Sequence, residues 1–197
     1  MIFRERTALT ERKEVLLCHC AEPNEALFRF GDRQQIGLKL ALDALGIPVR
    51  LDSFADRLTV QKCVYLAQAA GIQLGYNFHW YLRGPYSSTL TRDAFGVVAE
   101  LSAGTDESQG WNFDPASIQR AAALRPLIQS AQGEDLAQKL ELLASVHFLI
   151  DASTGKKPDI EELHATLHRY GKIFSKSDVR RAIGELNQYG LGPALAS

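Results

Sequence analysis

Cysteine and histidine are the side chains of this 197-residue chain that metal chemistry would use most readily. Cys18, His19 and Cys20 are adjacent, but a zinc site normally takes two ligand pairs, each spaced by about two to four residues. No second pair follows them. His164 and His168 would share one face of a helix, again without a third ligand in a suitable neighbourhood. The sequence therefore predicts no metal site and no cofactor.

Nucleophilic catalysis is not predicted either, because it needs a nucleophile, a base and an orienting group within reach of one another. Cys63 lies among apolar residues and is expected to be a small buried hydrophobe. Ser87 follows a Gly-Pro pair but lacks the Gly-x-Ser-x-Gly elbow. Gly-rich phosphate loops are absent. We therefore expect a protein without enzymatic activity, and an unrecognised enzyme is the third hypothesis.

Composition indicates an ordinary globular protein of one domain. The formal net charge of −1 gives no overall attraction to nucleic acid or membrane. No apolar run approaches the roughly 20 residues of a membrane-spanning helix, and the N-terminal stretch is charged rather than apolar, so no secretory signal is predicted. Three cysteines cannot all pair, which favours a cytoplasmic location.

Two parts of unequal length are predicted. Residues 1–33 are expected to form a weakly attached N-terminal arm with one helix over Glu11 to Cys20, capped by Thr7 or Thr10. Residues 34–197 are expected to form a single compact domain of mostly α class.

The predicted helices of this domain follow from apolar periodicity and from capping residues. Pro126 is expected to kink or break the fourth of them, and the last two are expected to form a helix–turn–helix-like pair. A short strand or extended segment is predicted around 76–83. The helices run over Gln34–Leu45, 53–70, from Ser87 or Ser88 to Leu101, Asp114–Ala131, Glu134–Ala152, Asp159–Gly171 and Ser175–Gly190.

The second of these helices is predicted to be central, because its apolar residues cover more than half of its circumference. Arg57, Gln61 and Gln68 fall together on the remaining face, where they are expected to be hydrated. Lys62 points into the apolar sector. A buried ammonium must be paired or hydrogen-bonded, so Lys62 is expected to contact Asp93 or a backbone carbonyl.

A Gly84-Pro85-Tyr86-Ser87 turn is predicted after the aromatic segment. Gly and Pro would set the turn, Tyr86 would pack, and Ser87 would cap the next helix. Arg83 and Tyr86 are also residue types that are common at binding hot spots. Both a structural and a binding role stay open for them.

These residues together resemble the Panacea-domain superfamily, which includes the SocA-like antitoxins and the GepA-like and YwgA-like proteins. The family pattern is a helix of the form Leu-x-x-Gln-Lys-Leu-x-Tyr-Leu-x-Gln, followed by a Gly-Pro segment and then Leu and Asp. Cys63 stands where Leu or Ile is usual, and the resemblance covers roughly residues 50–190. The matching residues are Leu58, Gln61, Lys62, Tyr65, Leu66, Gln68, Gly84, Pro85, Tyr86, Ser87, Leu90 and Asp93.

The resemblance implies a helical module that binds a partner protein, often a toxin encoded nearby. We predict that a rigid Gly-Pro turn presents side chains beside the polar face of the central helix. The residues assigned to partner binding are Arg57, Gln61, Gln68, Arg83 and Tyr86. The residues assigned to structure are Lys62, Tyr65, Gly84, Pro85, Ser87 and Asp93, of which Lys62, Tyr65 and Asp93 are expected to meet at one buried junction.

The alternative hypothesis is a regulator that binds DNA through the last two helices. From Lys156 to Arg181 there are 7 basic and 4 acidic side chains. This excess is small beside the roughly 6–10 phosphate contacts of a typical DNA-binding protein, so a protein partner is preferred. The residues assigned to the alternative are Lys172, Lys176, Arg180 and Arg181.

Overall fold

The computed structural model describes residues 17–19, 30–130, 133–153 and 159–192, with side chains from residue 33 onward except those of residues 133 and 134. The fold is mostly helical. Its elements are β1 (Leu17–His19), α1 (Phe30–Leu45), α2 (Phe54–Ala69), β2 (His79–Tyr81), β3 (Gly84–Tyr86), α3 (Ser88–Ser102), β4 (Trp111–Phe113), α4 (Pro115–Ile128), α5 (Gly133–Ala152), α6 (Ile160–Arg169) and α7 (Lys176–Gln188).

Helix α2 is the centre of the core, as its wide apolar surface predicts. Every residue from Leu58 to Ala67 is buried, and α2 packs against α1, α3, α4 and α5. Its start is fixed by a capping box, in which Ser53 Oγ accepts from the Asp56 amide and the Asp56 carboxylate accepts from the Ser53 amide. Among the described residues no helix is long and apolar enough to cross a membrane.

The predicted pair of C-terminal helices is confirmed as α6 and α7. Asp159 caps α6, and Ser175 with Asp178 forms a capping box on α7. Both helices present one apolar face to the core, where Leu167 and Leu186 are buried. Helix α7 lies against α5.

The Gly-Pro segment is a strand and not the predicted turn. Strand β3 pairs antiparallel with β2, so that Pro85 lies opposite Trp80, and the chain reverses at Leu82 and Arg83. Proline fits here because it lacks only the amide donor, which a strand at the edge of a two-stranded sheet can forgo. The extended segment predicted for 76–83 is therefore half of a β-hairpin.

The expected helix over Glu11 to Cys20 is wrong where the backbone is described. Leu17–His19 form strand β1, which pairs antiparallel with β4, Trp111–Phe113. Three-residue strands are too short to show a period-two pattern, so pairing with a distant segment overrides the local signal. Helix α1 also begins earlier than predicted, at Phe30 instead of Gln34.

Pro126 does not break α4. The helix continues to Ile128, although not to the predicted Ala131. Pro126 stands in the last turn, where the loss of one amide donor removes little of the helix beyond it. The start of α4 is as predicted, with Asp114 as N-cap and Pro115 at the first position.

Gly84 is required where β3 lies against α5. Its φ is +79°, and a Cβ added there would meet Ser145 Oγ at 2.3 Å. Ser145 is fully buried, so its side chain cannot swing into solvent. Gly104 offers a matched control, because its φ is +78° and nothing lies within 4 Å of its added Cβ.

We expect Gly84→Ala to destabilise the protein more than Gly104→Ala does. Both changes place alanine in the left-handed region, at roughly 1–2 kcal/mol, and only the first crowds α5, at about 1–3 kcal/mol more. Chemical denaturation of the two variants measures the difference in the free energy of unfolding. Equal losses would show that β3 does not lie against α5.

Candidate functional site

The side chain of Gln61 on α2 hydrogen-bonds Ser87, the residue that follows the hairpin. Its side chain is 5% exposed, and its Nε2 donates to the Ser87 carbonyl and to Thr91 Oγ1, both at 2.8 Å. Its Oε1 accepts from the Ser87 amide at 3.0 Å. The side-chain amide thus pairs with both backbone groups of Ser87 as a neighbouring strand would.

Gln68 makes the same two-sided contact with Tyr76. Its Nε2 donates to the Tyr76 carbonyl at 2.9 Å, and its Oε1 accepts from the Tyr76 amide at 2.8 Å. Arg57 is half-buried and donates to the Leu51 carbonyl at 2.8 Å. The predicted hydrated face is therefore wrong for Gln61 and Gln68, because the extended chain after α2 folds back along it. Arg57 remains partly exposed.

Lys62 is 1% exposed, as its place in the apolar sector predicts. Its Nζ donates to the Pro85 carbonyl at 2.5 Å, which confirms the predicted carbonyl contact. Asp93 is not its partner, and instead accepts from the hydroxyl of Tyr76 and from Arg92 Nε, both at 3.3 Å. Burial and the nearby Asp93 charge raise the pKa of Tyr76.

Tyr65 contacts neither Lys62 nor Asp93 in the hydrogen bonds described, and instead lies against His147 and Phe78. Its hydroxyl lies 2.8 Å from His147 Nδ1, and its ring packs edge-on against Phe78. Burial raises the pKa of Tyr65 and lowers that of His147. The single junction predicted for Lys62, Tyr65 and Asp93 is therefore wrong. All three side chains are buried, but each joins α2 or α3 to a different part of the fold.

A cluster of charged side chains, of which three are buried, lies beside the hairpin. Glu141 on α5 contacts Lys172 Nζ through Oε1 at 2.5 Å and Arg83 Nη1 through Oε2 at 3.3 Å. The charges of Glu141 and Lys172 both act on the pKa of Lys62. We call Lys62, Arg83, Glu141 and Lys172 the charge cluster. Within it, the carboxylate of Glu141 contacts Arg83 and Lys172, and its charge also acts on Lys62.

The charge cluster shifts the pKa of both lysines downward. Burial lowers the pKa of Lys62 to about 7, with repulsion from Lys172 adding to the effect and Glu141 opposing it. Burial also lowers the pKa of Lys172, against its hydrogen bond to Glu141. Glu141 was not identified from the sequence, although it stands among apolar residues of α5 as Lys62 does in α2. That same signal would have found it.

Large side chains are exposed at the tip of the hairpin. Tyr81 is 59% and Leu82 75% exposed, and Phe54 at the start of α2 is 55% exposed. The Arg83 guanidinium lies 5.6 Å from the centre of the Phe54 ring, and the Tyr81 and Tyr86 rings are 5.5 Å apart. Leu82 lies between Tyr81 and Arg83 at the turn of the hairpin. We call Phe54, Tyr81, Leu82, Arg83 and Tyr86 the hairpin patch.

Two of the predicted partner-binding residues thus lie in the hairpin patch. The Arg83 side chain is 60% exposed, and Tyr86 is half-buried with its hydroxyl accepting from Thr91 Oγ1 at 3.0 Å. Phe54, Tyr81 and Leu82 were not identified from the sequence. Apolar residues in a turn or at a helix start give no periodic signal, and the hairpin that gathers them was not predicted.

The basic residues assigned to DNA binding are not all available. Lys172 is buried on Glu141, so its assignment to a DNA surface is wrong. Lys176 pairs with Glu161, and Arg181 pairs with Asp178 at 2.6 Å. Arg180 is exposed on α7.

The predicted nature of Cys63 is confirmed, since it is fully buried and burial raises the pKa of its thiol. The described residues contain no group of three or more His, Cys, Asp or Glu that would hold a metal ion. The rings of His164 and His168 lie 5.7 Å apart on α6. The side chains of Cys18, His19 and Cys20 lie outside the described residues.

Comparison with family models, with curated proteins and with solved structures finds no match to this chain.

The low pKa of Lys62 predicts how stability depends on pH. The unfolded chain keeps the Lys62 proton up to its ordinary pKa of 10.5, whereas the folded protein releases it near 7. Above pH 7 the unfolded state therefore binds more protons, and the free energy of unfolding rises with pH. From about pH 7 to about pH 8.5 we expect Lys62 to contribute a rise of about 1–2 kcal/mol. Lys62→Met should lack this contribution.

Urea denaturation at several pH values measures this slope, and Lys176→Met, at an exposed position, is the control. The window ends below the ordinary pKa of 9.0 of Cys63, whose burial acts in the opposite direction. A Lys62→Met variant with the slope of the parent protein would show that Lys62 is charged and solvated.

Proposed function

We propose that this protein is a non-enzymatic binding module that grips a partner protein through the hairpin patch. The observation that carries this proposal is the combination of an exposed aromatic and aliphatic tip with a base that α2 holds by buried hydrogen bonds. Exposed apolar groups that lie together mark interaction sites more often than apolar residues scattered singly.

Rigidity is the physical reason why such a hairpin suits binding. Ordering a loop at the moment of docking costs free energy that weakens the complex. Gln61 and Lys62 fix the hairpin through Ser87 and Pro85 before any partner arrives. Tyr and Arg then supply contact area and hydrogen bonds at a small additional entropy cost.

The resemblance to Panacea domains supports the same conclusion and suggests the kind of partner. The motif residues Gln61, Lys62 and Gln68 hold the segment that leads into the hairpin patch. By this resemblance the partner is a toxin encoded nearby, and the protein acts in the cytoplasm as its antitoxin.

The binding surface differs from the one expected from the sequence. Arg83 and Tyr86 stay in it, and Phe54, Tyr81 and Leu82 join them. Gln61 and Gln68 leave it because their amides are engaged with the backbone, and Arg57 lies at its border.

Truncating the tip should weaken partner binding without unfolding the protein. We expect Tyr81→Ala and Arg83→Ala to lose about 2 kcal/mol or more of binding free energy, at least tenfold in affinity, as hot spots do. The partner is found by co-purification with mass spectrometry and the affinity is measured by calorimetry. Ile118→Ala is the control, because Ile118 is 49% exposed on α4, away from the hairpin.

Gln61→Ala tests the stability of the hairpin base separately from the exposed residues of the hairpin patch. We expect it to lower the free energy of unfolding by about 1–3 kcal/mol, because the buried Ser87 backbone loses its partners. The folded fraction should still bind. Unchanged affinity in the folded Tyr81→Ala and Arg83→Ala variants would place the interface elsewhere, for example in the groove of about 290 Å³ between α5 and α7.

DNA binding by α6 and α7 is the competing proposal, and the exposed Arg180 on the second helix of the pair favours it. We expect no salt-dependent complex in a gel-shift assay at physiological salt, because Lys172 is buried and Lys176 is paired. A tight complex that is lost when Arg180 and Arg181 are both changed to Glu would reverse the ranking.

A further inference from the structure

The chain around the hairpin patch is more basic than the rest of the protein. Residues 50–93 contain five basic and three acidic side chains, although the whole chain has a formal net charge of −1. The remaining residues therefore carry a net charge of −3 on the same count. The hairpin patch stands in the basic part.

The charge cluster reaches the surface at Arg83. Lys62 and Lys172 are buried. Glu141 pairs with Lys172 and with Arg83, whereas Lys62 donates to the Pro85 carbonyl. Arg83 is the exposed member, with its guanidinium between Glu141 and the Phe54 ring. Arg83 and Lys172 share the single carboxylate of Glu141, so a second carboxylate at Arg83 would offset the repulsion between these two cations.

The start of α2 adds a further basic group beside Phe54. Arg57 lies one turn after Phe54 and donates to the carbonyls of Leu51 and Asp52 rather than to a carboxylate. Asp56 is engaged in the capping box with Ser53 and in an ion pair with Arg50 at 3.5 Å, so Arg57 is the basic group there without a carboxylate contact among the described residues. Arginine therefore borders the patch both at the hairpin and at the helix start.

We infer that the partner segment covering the hairpin patch is an acidic polypeptide, with apolar anchors for Tyr81, Leu82 and Phe54 and a carboxylate that pairs with Arg83. This inference rests on the proposed function and specifies the chemistry of the partner. A charged pair of this kind raises specificity and the association rate when the surrounding apolar contacts exclude water. A nucleic acid fits less well, because aliphatic Leu82 at the most exposed point of the patch offers nothing to a phosphate.

Two synthetic helical peptides test the inference. Both carry the same leucine and phenylalanine positions at helical spacing, and the remaining positions are Glu in one and Lys in the other. Each is labelled with fluorescein and titrated with the full-length protein, and binding is followed by anisotropy. We expect the Glu peptide to bind at least about tenfold more tightly than the Lys peptide, which corresponds to about 1.4 kcal/mol.

Variants of the hairpin patch test which residues cause the preference for the Glu peptide. Arg83→Gln should weaken the Glu peptide by about tenfold and leave the Lys peptide unchanged, and Leu82→Ser should weaken both peptides. Arg180→Gln and Ile118→Ser are the matched controls, since both residues are exposed on other helices. Raising the ionic strength from about 0.01 M to about 0.1 M should weaken the Glu peptide more in the parent protein than in Arg83→Gln, because the screening length falls to about 10 Å.

Equal binding of the two peptides, binding of neither, or tighter binding of a labelled DNA duplex would overturn the inference. The proposed function fails separately. If a co-purified partner depends on Tyr81 and Arg83 while the two peptides bind equally, the hairpin patch is a binding surface and the acidic chemistry is wrong. If the Glu peptide binds selectively at Arg83 but no partner depends on Tyr81, the charge preference holds and the proposed function is wrong.

Discussion

The fold depends on two glutamine side chains of α2 that hydrogen-bond the backbone of the chain after it, as a neighbouring strand would. The backbone of Tyr76 and Ser87 must be satisfied where it lies against α2, and burial without partners would cost about 1–3 kcal/mol for each group. Gln68 and Gln61 supply one donor and one acceptor to each of these residues. Between these two points the chain is free to form the hairpin, and Lys62 ties its second strand to α2.

Helices and caps could be predicted because their signals are local. The capping residue Asp159 and the central place of α2 follow from spacing alone. For α2 the spacing allows Asp52 or Ser53 as the cap, and Ser53 is the one observed. The burial of Lys62 also follows, since an apolar helix sector must face the core. Its partner does not follow, because the choice between the Pro85 carbonyl and Asp93 depends on how the later chain folds back.

The candidate site was harder to predict because pairing across the chain creates it. A helical wheel shows Gln61 and Gln68 as a solvent-facing side, and only the path of residues 76–87 shows that this side is covered. Strands of three residues give no periodicity, so the sequence predicts a turn where the structure has the second strand of a hairpin. Phe54 and Leu82, which lie far apart in sequence, therefore could not be joined into one patch in advance.

Hydrogen exchange at the amides of Tyr76 and Ser87 tests most directly whether α2 holds the hairpin as a fixed platform. Each amide donates to a side-chain oxygen of α2. They should therefore exchange as slowly as the core amides of α2 itself, through the same cooperative opening. Exchange at the rate of an exposed loop would contradict the account, since the hairpin would then be mobile and its exposed side chains would not be preorganised for a partner.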